Sequence, residues 1–241
     1  MKVLALSSSR VGNSGFLEKA LPYIDSFIEN HRVNIAFVPF ASVQRNYDEY
    51  GAMVKDALAS LSYNITIALP HNAKKVIEES DIIVVGGGNT FKLLHGIYEF
   101  GLFELIQTKV NNGTPYIGWS AGANLSGRSI STTNDMPIIQ PKSFTAFGFL
   151  PFQINPHYIN QTMENHNGET RDQRLEEFIV LNPGVPVIGL PEGTALHLEQ
   201  KKLQFIGDGE GVLFQTGIDG QTQKTSIVKN EDLSYLLNKQ H

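Results

Sequence analysis

The chain has no cysteine. This absence excludes disulfide bonds, thiolate metal sites and a cysteine nucleophile together. Disulfides are typical of oxidising compartments, so a chain without them is more natural in a reducing one, and we predict a cytoplasmic protein. Long hydrophobic runs are absent too. The apolar run at residues 1–6 is too short for a signal-peptide core, and no later run reaches the length of a membrane span, so we expect no membrane partner.

Positive charge is also scarce. Lys and Arg number 19 against 24 Asp and Glu, which gives a formal net charge of -5 and a pI near 5.8. The basic residues stand singly or in pairs and form no stripe, so nucleic acid is not an expected partner. The hydrophobic fraction is 41% in 241 residues, which is enough for the core of one large α/β domain.

The first half of the chain alternates short β-rich runs with helical patterns. The predicted strands cover residues 3–6, 33–39, 64–69, 81–86 and 115–120, and the predicted helices cover residues 14–29, 46–61, 72–79 and 90–111, the last broken near Gly101. Several strands are apolar throughout, as parallel strands are when helices cover both faces. The pattern predicts an α/β fold with a mostly parallel, doubly wound sheet.

The pattern changes beyond Gly189. Residues 194–198, 203–207 and 211–215 form closely spaced strands, which predicts an antiparallel hairpin region. Linkers and repeats are absent, so we predict a single catalytic domain over residues 1–241, with residues 216–241 peripheral. The apolar helices are compatible with a monomer or a homodimer.

The most informative segment is the turn Gly118-Trp119-Ser120-Ala121-Gly122. An apolar strand runs into this G-x-S-x-G pattern and small residues then begin a helix, which is the context that a nucleophilic serine requires. The turn lifts the hydroxyl above the sheet edge, and the N-terminus of the helix faces any developing anion. The pattern predicts Ser120 as nucleophile and the amide of Ala121 as an oxyanion donor. The alternative is a tight turn with an incidental serine.

A second glycine loop, residues 86–90, follows the strand at residues 81–85. Its backbone amides, that of Gly88 in particular, are candidates for the other half of an oxyanion hole. The loop lacks the spacing of a dinucleotide or nucleotide-phosphate loop, and we predict no cofactor. The alternative is that the glycines only permit a turn.

A serine hydroxyl needs a base, and His157 is the best candidate of seven histidines. It ends a short apolar run and follows a proline, and sites gather at strand ends in α/β sheets. His166 is the alternative. A metal site built from His157, His166 and Glu164 matches no common ligand spacing, and we predict no metal.

Two carboxylates compete to orient this base. Glu192 closes an apolar strand, whereas Asp135 gives the chain order Ser, Asp, His that α/β-hydrolases use. Either residue could instead cap a turn or bind a substrate ammonium group. The residues alone leave this choice open.

Together these motifs resemble peptidase E, the α-aspartyl dipeptidase family of serine peptidases. The resemblance rests on residues 84–91, 116–124, 132–138, 153–157, 168–171 and 187–193, in the family's order, and covers the chain to about residue 215. It extends more distantly to cyanophycinases and class I glutamine amidotransferases, and it implies a fold like that of the amidotransferases. It further implies Ser120 as nucleophile, His157 as base and cleavage of Asp-X dipeptides.

Selectivity for an N-terminal aspartate requires a cation for the β-carboxylate. Arg171 is the candidate, because guanidinium binds carboxylate bidentately and this residue lies in a matched block. Asn89 could add a hydrogen bond to the substrate. The alternative for Arg171 is a solvated helix residue paired with Glu177. The alternatives for the whole chain are a cyanophycinase-like or lipase-like hydrolase and a catalytically silent binding module.

Overall fold

The computed structural model describes residues 1–29, 32–61, 63–161 and 167–238. Its strands are β1 (Lys2–Leu6), β2 (Asn34–Val38), β3 (Asn64–Ile67), β4 (Ile82–Val85), β5 (Tyr116–Trp119), β6 (Gln153–Pro156), β7 (Val187–Leu190), β8 (Thr194–Glu199), β9 (Lys202–Gly207), β10 (Gly211–Thr216) and β11 (Thr222–Ile227). Its α-helices are α1 (Leu21–Ile28), α2 (Tyr47–Ala57), α3 (Ala73–Glu78), α4 (Thr90–Glu99), α5 (Phe103–Asn111), α6 (Ala121–Asn124) and α7 (Arg171–Leu181). Short 3-10 helices cover Ala59–Leu61 and Ser234–Asn238.

The larger sheet has the strand order β3-β2-β4-β5-β1-β8-β9. The first five strands in that order are parallel, and β8 and β9 are antiparallel to their neighbours. All four residues of β4 and of β5 are buried, because helices cover both faces. Phe27 of α1 and Val54 of α2 pack on one face, and Leu93 of α4 and Ile106 of α5 pack on the other. The predicted α/β class, the mostly parallel sheet and the antiparallel late strands are confirmed.

A second, four-stranded sheet has the order β11-β10-β7-β6. The sequence did not predict it as a separate sheet. In it β6 and β7 are parallel, with Asn155 opposite Gly189 and Pro156 opposite Leu190. Because β6 and β7 lie about thirty residues apart, their pairing is a long-range choice that local hydrophobic patterns do not encode.

The C-terminal segment is more integral than expected. Within residues 216–238, strand β11 completes the second sheet, and Ile227, Leu233 and Leu236 are buried in the hydrophobic core. The amide of Leu203 in β9 donates to the hydroxyl of Ser234, which ties the last 3-10 helix to the first sheet. The described part of this segment is therefore not peripheral. That residues 1–241 form one domain stays a prediction.

Helix α1 begins later than the predicted start at residue 14. Leu17 has a φ of 57°, a left-handed conformation that ends a helical path, and Pro22 lies in the first turn of the helix. The preceding residues form turns instead. Among the described residues, no helix combines the length and the apolar character needed to cross a bilayer.

The candidate site residues lie at the carboxyl ends of parallel strands. Ser7 follows β1, Ser120 follows β5 and His157 follows β6, and Glu192 lies two residues beyond β7. The glycine loop at residues 86–88 follows β4. Side chains at the carboxyl ends of parallel strands meet at one edge, which brings residues that are distant in the chain to one place.

Candidate active site

Ser120 occupies the turn between β5 and α6 with φ 53° and ψ -113°, a conformation that a non-glycine residue rarely adopts. Its amide donates to the carbonyl oxygen of Leu6 over 3.0 Å, which fixes the turn on β1. The two flanking glycines have no room for a side chain. A Cβ atom on Gly118 would lie 2.4 Å from the carbonyl oxygen of Gly122, and one on Gly122 would lie 2.2 Å from that of Val85. Steric packing therefore explains both glycines of the motif.

The imidazole of His157 joins the nucleophile to a carboxylate. Its Nε2 lies 3.0 Å from Ser120 Oγ, and its Nδ1 lies 2.9 Å from Glu192 Oε1. Both distances are within hydrogen-bond range. In this arrangement Glu192 orients the imidazole, and the imidazole can accept the proton of the Ser120 hydroxyl. The side chains of His157 and Glu192 are about half exposed, at 42% and 48%, so water reaches the base.

The backbone of His157 is held from the other sheet. His157 has a φ of 51°, and its amide donates to Ser7 Oγ over 2.9 Å. The hydroxyl of Ser7 in turn donates to the carbonyl oxygen of Leu190 over 2.7 Å. Ser7 is fully buried, so it links the end of β1 to the ends of β6 and β7 without competition from solvent.

Asp135 lies on the opposite side of the site. Its Oδ2 accepts from the amide of Thr90, the first residue of α4, over 2.7 Å, and from Thr133 Oγ1 over 3.3 Å. A carboxylate is stabilised there by the free amides and dipole of the helix N-terminus. Of the two candidate carboxylates, it is Glu192 and not Asp135 that contacts the ring of His157.

Asn89 has a structural contact where a substrate contact was expected. Its Oδ1 accepts from the amide of Lys92 as the N-cap of α4, and its Nδ2 donates to the carbonyl oxygen of Met136. These bonds hold the start of α4 against the loop that carries Asp135. Asn89 is outside the residues that line the cavity beside Ser120.

The two predicted oxyanion donors lie around the nucleophile. Ala121 is the first residue of α6, and Gly87, next to Gly88, packs so tightly that a Cβ atom on it would lie 2.9 Å from Ser120 Cβ. Gly88 has a φ of 137°, and a Cβ atom there would lie 2.5 Å from the carbonyl oxygen of Ala41. Within the described residues, neither the Gly88 amide nor the Ala121 amide donates a hydrogen bond, so both are free for a ligand oxygen.

A polar cavity of about 240 Å³ opens beside the nucleophile. It is lined by Thr90, Ser120, Ala121, Asn124, Thr133, Asn134, Asp135, Pro156, His157 and Arg171. Five of the predicted site residues thus share one cavity: the nucleophile, the base, one oxyanion donor, one carboxylate and the arginine. The cavity offers both a cation and an anion to a small zwitterionic ligand.

Arg171 begins α7 and points its guanidinium into this site. The helix start is fixed by a capping box between Thr170 and Gln173. Arg171 Nη1 donates to Asn155 Oδ1 over 3.3 Å. Burial, and then the positive charge of Arg174, lower the pKa of Arg171 from its ordinary value. None of the carboxylates in the described ranges pairs with this guanidinium, Glu177 included.

Asn155 and Ser7 were missed from the sequence. Asn155 Nδ2 donates to the carbonyl oxygen of Thr132 and to Asn134 Oδ1, both over 2.7 Å, so its Oδ1 must face Arg171. Both missed residues are polar side chains in or just after a strand that reads as apolar, and that exception to the pattern was the available signal. The alternative base His166 and its neighbour Glu164 lie outside the described residues.

A strained serine, an imidazole and an orienting carboxylate above the edge of a parallel α/β sheet define a serine hydrolase. The model of peptidase family S51 matches residues 3–206, so the chain belongs to that family and is a serine peptidase. Peptidase E of Shewanella amazonensis is 47% identical over 238 residues, covering 98% of this chain and 99% of that protein. Peptidase E of Haemophilus influenzae is 51% identical over 209 residues, covering 85% and 95%.

Solved structures support the fold. A putative peptidase E from Listeria monocytogenes superimposes with a TM-score of 0.64 at 23% identity, covering 86% of this chain and 98% of that one. A peptidase from an acI-B1 actinobacterium gives 0.68 at 16% identity, covering 96% of each chain. At such identities the likeness concerns the architecture alone.

Proposed function

We propose that this serine peptidase hydrolyses dipeptides with an N-terminal aspartate through an acyl-enzyme on Ser120. The observation that carries the proposal is a guanidinium without a described carboxylate partner, that of Arg171, in the same small cavity as Ser120 and His157. Arg171 is half-buried, so its guanidinium has lost part of its hydration, and a ligand carboxylate would compensate that loss. The near-full-length relatives called peptidase E agree with a peptide substrate.

In the proposed chemistry, His157 Nε2 takes the proton of Ser120 Oγ as the hydroxyl attacks the carbonyl carbon of the aspartyl residue. Glu192 holds the ring with Nδ1 protonated and stabilises the imidazolium that forms. The tetrahedral oxyanion accepts hydrogen bonds from the amides of Gly88 and Ala121. His157 then protonates the departing amine, and water attacks the acyl-enzyme by the same route. No cofactor takes part in these steps.

The substrate's own charges decide selectivity in this proposal. Arg171 binds the β-carboxylate, and Asp135, which is free of His157, accepts from the α-ammonium group. The two charges lie in one cavity, as they do in an N-terminal aspartate. A dipeptide with asparagine leaves this half-buried guanidinium unpaired, which should lower kcat/KM on the order of 10²-fold relative to aspartate.

The proposal is tested with Asp-Leu, Asn-Leu, β-Asp-Leu and a simple ester as substrates. Ser120→Ala should abolish hydrolysis of all four and labelling by a fluorophosphonate, with the melting temperature retained. Arg171→Ala should lower kcat/KM for Asp-Leu by about 10²-fold and leave the ester unchanged.

The matched control is Arg174→Ala, one turn along α7, where the guanidinium lies 3.7 Å from Glu169 and outside the cavity. It removes the same charge from the same helix and should retain the preference for Asp over Asn. Full Asp selectivity in Arg171→Ala would refute the carboxylate assignment, and preferred cleavage of β-Asp-Leu would point to a cyanophycinase-like activity. Cytoplasmic location and a monomeric or dimeric state stay predictions.

A further inference from the structure

The glycine loop beside Ser120 is held by a side chain from α2. The hydroxyl of Tyr50 donates to the carbonyl oxygen of Gly87 over 3.1 Å, and it accepts from Trp119 Nε1 over 3.0 Å. Trp119 immediately precedes the nucleophile. One phenol therefore contacts both segments on which the proposed oxyanion hole depends, the loop after β4 and the turn after β5.

The direction of these two hydrogen bonds is fixed by chemistry. The indole N–H of Trp119 is a donor only, so the phenol oxygen must accept from it, and the phenol proton is left for the carbonyl of Gly87. Burial raises the pKa of Tyr50 to about 12, so the hydroxyl keeps its proton over the whole working range of an enzyme. Tyr50 is therefore a permanent donor to the loop.

The contact bears on catalysis because of the planarity of the peptide bond. The carbonyl of Gly87 and the amide of Gly88 belong to one rigid trans unit, in which C=O and N–H point in opposite directions. A donor that fixes the carbonyl therefore fixes the amide on the other side. Because glycine stands on both sides of this peptide unit, its φ and ψ angles are less restricted than in an ordinary loop. A hydrogen bond from Tyr50 to its carbonyl therefore restrains its orientation more than it would elsewhere.

The phenol itself has little freedom. Its ring lies edge-on to Phe37 at 5.1 Å and to Phe16 at 6.2 Å between centroids. A Cβ atom on Gly86 would lie 2.7 Å from the Tyr50 oxygen, so the loop closes directly over the hydroxyl. The ring contacts hold Tyr50 in the place from which it can restrain the glycine loop.

We propose that Tyr50 is a positioning residue of the catalytic site, which aims the Gly88 amide at the oxyanion through its hydrogen bond to the Gly87 carbonyl. This inference rests on the proposed acyl transfer at Ser120. It assigns a role in the transition state to a side chain on α2, a surface helix whose buried residues pack in the hydrophobic core. Trp119 has the secondary role of orienting the phenol.

The test is Tyr50→Phe, which removes one oxygen and keeps the ring. Complete loss of an oxyanion donor costs about 10²- to 10³-fold in kcat, and a donor that is present but poorly aimed should cost less, about 10-fold, with KM unchanged. Affinity for an aspartyl aldehyde, which forms a tetrahedral adduct with Ser120, should fall by the same factor. In a Ser120→Ala background, the Kd of Asp-Leu should not change.

The control is Tyr47→Phe on the same helix, whose ring packs on Phe40 and whose hydroxyl makes no hydrogen bond to the described residues. It should have normal kcat. Trp119→Phe, which keeps the contact between Tyr50 and Gly87, should lower kcat by about threefold.

Normal kcat and normal aldehyde affinity in Tyr50→Phe would overturn the proposal. So would a loss of Asp-Leu binding in the Ser120→Ala background that equals the loss of kcat, because Tyr50 would then act on substrate binding. If Ser120→Ala alone retains activity, the proposed function fails instead.

Discussion

The two sheets hold their halves of the site by different physical means. In the first sheet, backbone packing decides: a Cβ atom on Gly122 would lie 2.2 Å from a carbonyl oxygen. In the second sheet, polar side chains decide. His157 is held through its ring by Glu192, and Arg171, on the helix that packs on this sheet, is held by Asn155. The position of the nucleophile is thus determined by steric packing around its turn, and the position of the base by hydrogen bonds to its side chain.

This difference predicts opposite sensitivities. Close-packed regions fail when volume is added, because neighbours cannot move far enough to accept it. Polar networks fail when a donor or acceptor is removed, even if shape is conserved. We therefore expect one added methyl group to break the nucleophile's half with its local fold, and isosteric changes to break the other half while the fold survives.

The largest effect is expected from Gly122→Ala. The new methyl group would overlap the carbonyl oxygen of Val85, so the turn that carries Ser120 must move. We expect a loss of about 3 kcal/mol in the free energy of unfolding and at least about 10³-fold in kcat/KM. Thermal denaturation and fluorophosphonate labelling measure the two losses.

Gly15→Ala is the control, because the nearest atom to its added Cβ would be the flexible carboxylate end of Glu18, at 3.1 Å, and no backbone atom beyond the adjacent residues would lie within 4 Å. Its stability and activity should be close to normal. If Gly122→Ala labels at the normal rate, steric packing does not specify the nucleophile's half of the site.

The next effect separates the two carboxylates. Glu192→Gln keeps the shape but can present an N–H to His157 Nδ1, which favours the wrong tautomer, so kcat should fall by about 10²-fold with the melting temperature retained. Asp135→Asn should instead raise KM by about 10-fold, because the proposed acceptor for the ammonium group loses its charge. Steady-state kinetics on Asp-Leu distinguishes the kcat effect of Glu192→Gln from the KM effect of Asp135→Asn.

A large loss of kcat in Asp135→Asn but not in Glu192→Gln would assign the orienting role to Asp135.

Some of the site could be predicted from sequence because its cause is local. The turn around Ser120 is encoded by Gly118 and Gly122 within five residues. The central strands β4 and β5 are fully buried apolar runs, each of which can be recognised from its own residues. The N-terminal boundary of α1 was misplaced because the left-handed backbone of Leu17 leaves no sign in a hydrophobic pattern.

The remainder of the site depends on long-range pairing. Asp135 and Glu192 were indistinguishable in the sequence, because both are carboxylates in loops near strand ends. The parallel register of β6 and β7, with Pro156 opposite Leu190, brings Glu192 and not Asp135 beside the imidazole of His157. Such a register is a property of the assembled sheet, so a local pattern could not supply it.

A smaller effect is expected from Asn155→Ala. Asn155 donates with its Nδ2 to two acceptors and so presents a fixed oxygen to Arg171. Without it the guanidinium is less well oriented, and kcat/KM for Asp-Leu should fall by about 10-fold. In an Arg171→Ala background the same substitution should have little further effect on the preference for Asp over Asn, since interacting residues are not additive. Additive losses would show that Asn155 acts through general stability. Asn182→Ala, at the far end of α7, is the control.

The smallest effect is expected from the hydroxyl of Ser7, which ties the end of β1 to the backbone of His157 and Leu190. Ser7→Ala leaves the amide of His157, which is partly buried, without its acceptor, which should cost about 1 kcal/mol of stability. The ring contacts to Ser120 and Glu192 remain, so kcat should fall by only about threefold. Ser8→Ala is the matched control, because the Ser8 hydroxyl donates within its own turn. The measured kcat compares the backbone bond of His157 to Ser7 with its ring bond to Glu192. If kcat falls by 10²-fold, the base depends on its backbone anchor from the first sheet as much as on Glu192, and the two halves are mechanically one unit.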